Sequence, residues 1–304
     1  MTDSPPYILR PPEAPAVPVL VDSPHSGMEW PEDFAPAASR EAILTTWDAF
    51  VDELWGGAPS VGATLLAAHF PRAYIDANRA PDDIDETLLA EPWPTPLVPT
   101  PYTQRGMGLI RRYALPQQPM YDRRLTVQEV EQRLARYYRP YRDTLAAQVA
   151  ELHERFGVSC HVNVHSMKSH GNAMNVDVGA ARPDVVVSDR RGVTAAPALT
   201  AWAADWFRAQ GLRTQVNEPY QGGDIVARSG APAQGRHSIQ VEFNRALYMD
   251  EARLSRGRGF TRLRDRCTAF VRDLALHLSL HLPNGTGRMS DREDAGAGDG
   301  HGGA

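Results

Sequence analysis

Short apolar runs that alternate with stretches of helical periodicity constrain this chain most. Val17–Val21, Ala73–Asp76, Val158–Val164, Val185–Val187 and Ser238–Phe243 read as strands, several of them too apolar to be one-sided. Strands of that kind belong in a sheet covered on both faces. Between them lie amphipathic patterns. Ile43, Leu44, Trp47, Phe50, Val51 and Leu54 recur at spacings of three and four and predict one helix. Thr126 and Glu129 stand at capping-box spacing ahead of Val130, Leu134 and Tyr137. Pro140 breaks or kinks that helix, Tyr141, Leu145, Val149, Leu152 and Phe156 continue its apolar face, and Gly157 caps it. Trp202 and Trp206 mark another helix, ended near Gly211; Leu263, Cys267, Phe270 and Leu274 mark the last. The alternation predicts an α/β protein, a single-domain three-layer sandwich with a mostly parallel sheet between helices.

Domain organisation follows from composition. Residues 1–16 are proline-rich and read as an extended N-terminal segment, residues 17–282 as the folded domain. Residues 283–304, rich in Gly, Asp and Ala, read as a disordered tail, because they lack the apolar surface that offsets ordering entropy. The prolines of Glu91–Pro101 forbid a helix, so that stretch reads as an ordered excursion beside the core. No apolar run approaches the ~20 residues of a bilayer span, so no membrane partner is expected. The N-terminus has no basic region followed by an apolar stretch, as a secretory signal would. A net charge of −5 argues against a nucleic-acid partner. Two cysteines, Cys160 and Cys267, cannot make a disulfide framework, and a reducing cytoplasmic location is expected. Of the 32 basic residues only Lys168 is a lysine, an arginine excess read as codon bias rather than function.

In sheets of this kind, sites gather beyond the carboxyl ends of the strands. There the sequence places His25 in SPHSG, Asp76-Ala77-Asn78-Arg79, His165 in VNVHSM, and Glu242 at the end of SIQVEF. Two histidines and a carboxylate suit a catalytic Zn²⁺ that keeps a fourth position for water. Asp48, four after Leu44 and three before Val51, flanks a buried stripe, where a carboxylate is costly unless paired or metal-bound. Asp52, one turn on, and Glu29, four after His25, are rivals, and spacing alone leaves the third ligand open. Strand alternation turns Cys160 away from His161, against a thiol nucleophile. PYQGGDIV sets Gly222 and Gly223 in a loop whose backbone approaches something closely. Neither GxGxxG nor GxxxxGK[ST] occurs, so this is no phosphate cradle.

Seven segments in this order resemble the N-formylglutamate amidohydrolase (N-formylglutamate deformylase) family. They are SPHSG (Ser23–Gly27), DAFVDELW (Asp48–Trp55), FPRAYIDANRAPDDID (Phe70–Asp85), YRPYRDTL (Tyr138–Leu145), HVNVHSM (His161–Met167), GGDIVARSGAP (Gly222–Pro232) and SIQVEFNRALYMDE (Ser238–Glu251). No single segment is diagnostic; together, from about Val19 to Glu251, they are specific. The family looks related to the zinc carboxypeptidase and aspartoacylase group, which implies a phosphorylase/hydrolase-like, zinc-exopeptidase-like fold. The resemblance carries metal ligands onto His25, Asp48 and His165, the catalytic carboxylate onto Glu242, and a substrate-carboxylate clamp onto Asn78 and Arg79. Arg112 in GLIRRY and Arg228 in IVARSG match further family arginines. Asn163 stands where the family often has Asp, Ala77 where it often has Leu, and GGDIV differs from the commoner GGYI or GGFI.

The implied activity is Zn²⁺-dependent hydrolysis of the N-formyl amide of N-formyl-L-glutamate or a similar small anionic N-acyl amino acid. Zn²⁺, Asp48, Glu242 and Arg79 together carry one net positive charge. A dicarboxylate would therefore want a second arginine, with Arg112 and Arg228 as candidates. The alternatives are a related N-acyl amino acid deacylase or peptide amidohydrolase on the same scaffold, and a catalytically silent binding protein.

Overall fold

The computed structural model describes residues 5–281. The tail expected at 283–304 lies outside these residues. Seven strands form the main sheet: β1 (Tyr7–Arg10), β2 (Val19–Ser23), β3 (Thr64–Ala68), β4 (Ser159–Met167), β5 (Val185–Ser188), β6 (Thr214–Val216) and β7 (Arg236–Asn244). They lie in the order β1-β3-β2-β4-β7-β5-β6. The contacts β3–β2, β2–β4, β4–β7 and β5–β6 are parallel, while β1–β3 and β5–β7 are antiparallel.

Apolar side chains on both faces hold helices there, giving the three layers. Val19, Val21, Val162, Val164 and Phe243 pack with Phe207 and Phe270, from the helices Pro197–Ala209 and Phe260–His281. Leu20 and Leu66 face the other way, onto Tyr141, Leu145 and Val149 of the helix Arg139–Phe156. Every residue of β2, β3, β4 and β5 is buried. In the central strands, however, the second face is polar rather than apolar. Parallel register sets His161 against Ser238, Asn163 against Gln240 and His165 against Glu242, with Asp22 beside Asn163 on β2. This buried ladder leads towards the carboxyl ends of the strands.

Helix ends follow local chemistry. Thr126 and Glu129 form the expected reciprocal capping box on the helix Val127–Arg133. A π-helical stretch, Leu134–Tyr138, then precedes Pro140, which sits in the first turn of Arg139–Phe156, where its missing N–H costs little. Gly157, at φ 70°, closes that helix.

Three expectations are corrected. Ala73–Asp76 is not a strand: Pro71 starts a turn, with Tyr74 N–H donating to the Pro71 carbonyl, and the strand is Thr64–Ala68. The proline-rich segment contains β1, which pairs antiparallel with β3 from Tyr7 against Ala68 to Arg10 against Leu65. The single helix expected from Ile43 to Leu54 is two short ones, Arg40–Leu44 and Val51–Leu54, with Phe50 left-handed at φ 62° between them. Tertiary hydrogen bonds hold this break. Trp47 Nε1 donates to the Ser26 carbonyl, Asp48 N–H to the His25 carbonyl, and Arg245 to the carbonyls of Thr45 and Trp47.

Candidate active site

The break puts Asp48 in the segment between the two helices, against the loop that follows β2. His25 comes from that loop and His165 from β4. All three side chains are buried, and each offers one ligand atom within 4.8 Å of the others. The rivals stay apart. Glu29 is 75% exposed in its side chain and lies 3.4 Å from His69 Nδ1, and Asp52 is half-buried outside the group.

Outer contacts orient the histidine rings, and Asn78 Nδ2 also lies 3.1 Å from His165 Nε2. Asn163 Nδ2 donates to Asp22 Oδ1 at 2.8 Å, so Asn163 Oδ1 must face His165, and it accepts from His165 Nε2 at 2.7 Å. Asp76 Oδ1 accepts from His25 Nε2 at 2.7 Å. Nδ1 of each ring then faces Asp48 Oδ2, 3.0 Å away for His165 and 3.4 Å for His25, where it can donate to the carboxylate or offer its lone pair to a cation. His25 Nδ1 is buried without a hydrogen-bond partner among the described residues. Three electron-pair donors converging in a buried site suit a cation, and an N,N,O set with carboxylate and amide partners behind its histidines suits Zn²⁺. Burial alone would raise the Asp48 carboxyl, but the two histidines and Arg72 hold it well below the usual carboxylate range.

Glu242, buried and opposite His165 in register, lines the cavity beside this group. Its Oε1 accepts from Gln240 Nε2 at 3.0 Å. Burial pushes its carboxyl above the usual range and the Asp48 charge adds to this, against the opposing pull of His165 and Arg72. Arg79 also lines the cavity. Its Nε and Nη1 donate to the carbonyls of Met107 and Asn78, each at 3.0 Å, and its guanidinium lies 4.3 Å from the Tyr102 ring centre. Gly222 and Gly223 form another wall, and a Cβ on Gly223 would lie 2.3 Å from Asn78 Oδ1. That oxygen accepts from Ile225 N–H at 2.9 Å, so Asn78 fastens the glycine loop as well as lining the cavity.

The structure carries Arg112 and Arg228 away from the site. Arg112 pairs with Asp85 at 2.8 Å. Arg228, with 59% of its side chain exposed, pairs with Asp224 at 2.9 Å one helical turn away. Two other arginines take the cavity wall. Arg72 donates to Asp76 Oδ2 through Nε and Nη2, and its Nη1 lies 4.0 Å from Asp48 Oδ2. Arg111 is 7% exposed. Arg72 follows a proline in a stretch whose apolar periodicity marks only its neighbours. Arg111 and Arg112 are adjacent, and the sequence carries no signal for which one turns inward. Cys160 faces the apolar layer, its thiol pushed up to about 12 by burial.

Buried imidazoles and carboxylates gathered past the carboxyl ends of a mostly parallel sheet make the active-site arrangement of an α/β enzyme. A family profile described as N-formylglutamate amidohydrolase matches residues 17–249. The N-formylglutamate deformylase of Pseudomonas aeruginosa is 30% identical over 239 residues, 77% of this chain and 83% of the relative. That of Pseudomonas putida is 27% identical over 248 residues, with the same coverage. The crystal structure of N-formylglutamate amidohydrolase from Ralstonia eutropha superimposes with a TM-score of 0.87 at 41% identity, covering 90% of this chain and 98% of that one. The chain belongs to the N-formylglutamate amidohydrolase family and is a hydrolase acting on an amide bond.

Proposed function

We propose that this chain removes the formyl group from N-formyl-L-glutamate or a closely similar acidic N-acyl amino acid, with Zn²⁺ held by His25, Asp48 and His165. The observation that carries the reading is the convergence of one ligand atom each from His25, His165 and Asp48 within 4.8 Å, beside Glu242. Family relatives named N-formylglutamate deformylase supply the substrate class. Zn²⁺ held there would act as a Lewis acid and lower the pKa of water towards ~7.

The chain's own residues do the rest. Glu242, with its raised proton affinity, accepts the proton of the attacking water and returns it to the departing amine. Arg72 is anchored by Asp76 and keeps Nη1 towards the cluster, where its charge stabilises the developing oxyanion. Arg79, held by two backbone carbonyls and free of any carboxylate among the described residues, clamps the substrate α-carboxylate. Arg112 and Arg228 have no part in this scheme, being paired elsewhere.

Zinc stoichiometry measured alongside formate release from N-formyl-L-glutamate tests the proposal. One zinc per chain with release of formate is expected. Formate release undiminished in protein stripped of metal would overturn the metal assignment, and no release from metal-replete protein would overturn the activity.

A further inference from the structure

The site continues past the metal-binding group. A second cavity adjoins the first, the two sharing Arg72, Met107, Arg111, Ser166, Asn175 and Tyr220 as walls, and it extends to Lys168. Six cations line the pair, and three of them are matched by the chain itself. Arg72 pairs with Asp76, Arg245 with Asp48, and Arg182 with Asp177. Arg79, Arg111 and Lys168 have no carboxylate partner among the described residues.

Arg79 lines only the cavity that holds Glu242, beside Asn78. The other two are left over for a different anion. Arg111 makes no hydrogen bond through its buried Nε, and burial together with the Arg72 charge lowers its pKa to about 9. A buried guanidinium without a counter-charge is costly, and an anionic ligand removes that cost. Lys168 stands close enough to Arg111, Arg182 and Arg245 to feel their charges. It is also the only lysine in a chain that uses arginine at every other basic position.

We infer that Arg111 and Lys168 form a second anion subsite, which takes the side-chain carboxylate of the substrate and makes the enzyme selective for N-acyl amino dicarboxylates. The inference rests on the proposed deformylation and assigns the far end of the same site. The α-carboxylate goes to Arg79, the scissile amide lies between Glu242 and the metal ligands, and the distal carboxylate points past Arg111 on the shared wall towards Lys168 in the second cavity. The cations that match a dianion are thus Arg79, Arg111 and Lys168, in place of Arg112 or Arg228.

N-formyl-L-glutamine, which replaces the distal carboxylate by an amide of nearly the same shape, isolates this contact. The ratio of kcat/KM for N-formyl-L-glutamate over N-formyl-L-glutamine should favour the acid in the wild-type enzyme. It should fall about ten- to a hundredfold in Lys168→Met and in Arg111→Gln, the range for a lost charge-assisted contact. Binding of the free amino acids gives a readout independent of turnover. By calorimetry the wild-type protein should bind L-glutamate more tightly than L-glutamine, and Lys168→Met should shrink that preference. Lys168 is half-buried, so its variant keeps the test decisive if Arg111→Gln fails to fold. A glutamate preference that persists undiminished in Lys168→Met overturns the subsite. Failure of the wild type to release formate from either substrate overturns the proposed activity instead, while the calorimetric comparison still decides the subsite.

Discussion

Replacing Glu242 by Gln separates chemistry from folding. The substitution keeps the volume and keeps an oxygen to accept from Gln240 Nε2, so the side-chain hydrogen bond along β7 is retained. It removes the group that shuttles a proton between water and amine in the proposed scheme. General acid–base catalysis contributes about 10²–10⁴-fold, and kcat should fall by that factor while zinc content is unchanged. Stability should move the other way. Burial raises the Glu242 carboxyl, so unfolding releases a group that ionises more readily in water. A folded pKa above the unfolded one costs stability at every pH above that folded value; the cost disappears as pH falls below the unfolded pKa. At pH 7 the Gln variant, free of that cost, should therefore unfold at the same temperature or a higher one. The melting comparison belongs in chelator-treated protein, where no cation offsets the carboxylate. An unchanged kcat would remove Glu242 from proton transfer. A lowered melting temperature in metal-free protein would refute the burial argument.

Three further outcomes are expected. His25→Ala and His165→Ala should each lose zinc by elemental analysis, and full occupancy in both would defeat the proposed metal site. Asp76→Asn removes the carboxylate that orients His25 Nε2 and anchors Arg72, and should weaken zinc retention about ten- to a hundredfold in a chelator competition, with unchanged retention counting against it. Lys168, pressed down to about 8 by burial and by Arg245, Arg111 and Arg182 against the pull of Glu251, loses its proton as pH rises. KM for N-formyl-L-glutamate should rise across pH 8 through this group, and Lys168→Arg, which stays charged, should remove that rise from the pH profile; an identical profile in the variant would refute it.

Much of the framework was legible in the chain itself. The apolar run at β5 marks a buried strand because such a run needs cover on both sides, while β4 and β7 alternate apolar residues with the polar ones that form the ladder. The capping box at Thr126 and the stop at Gly157 are local backbone chemistry, complete within a few residues. His25, His165 and Glu242 stood out because strand ends at a sheet's carboxyl edge are where such side chains meet. The helix through Asp48 did not form as one piece, because spacing of apolar residues cannot register the Arg245 guanidinium, nearly two hundred residues away, that holds the break.

What periodicity determines is a residue's direction relative to its own strand or helix. That was enough for an α/β sandwich, for two histidines and a glutamate near one edge, and for Cys160 turned to the other face. Only the tertiary structure decided that Asp48 rather than Asp52 or Glu29 completes the group, and that Arg72 and Arg111 rather than Arg112 and Arg228 face the cavity. These choices depend on strand order, crossover path and loop closure. They set distances between segments far apart in the chain, and no local pattern encodes such distances.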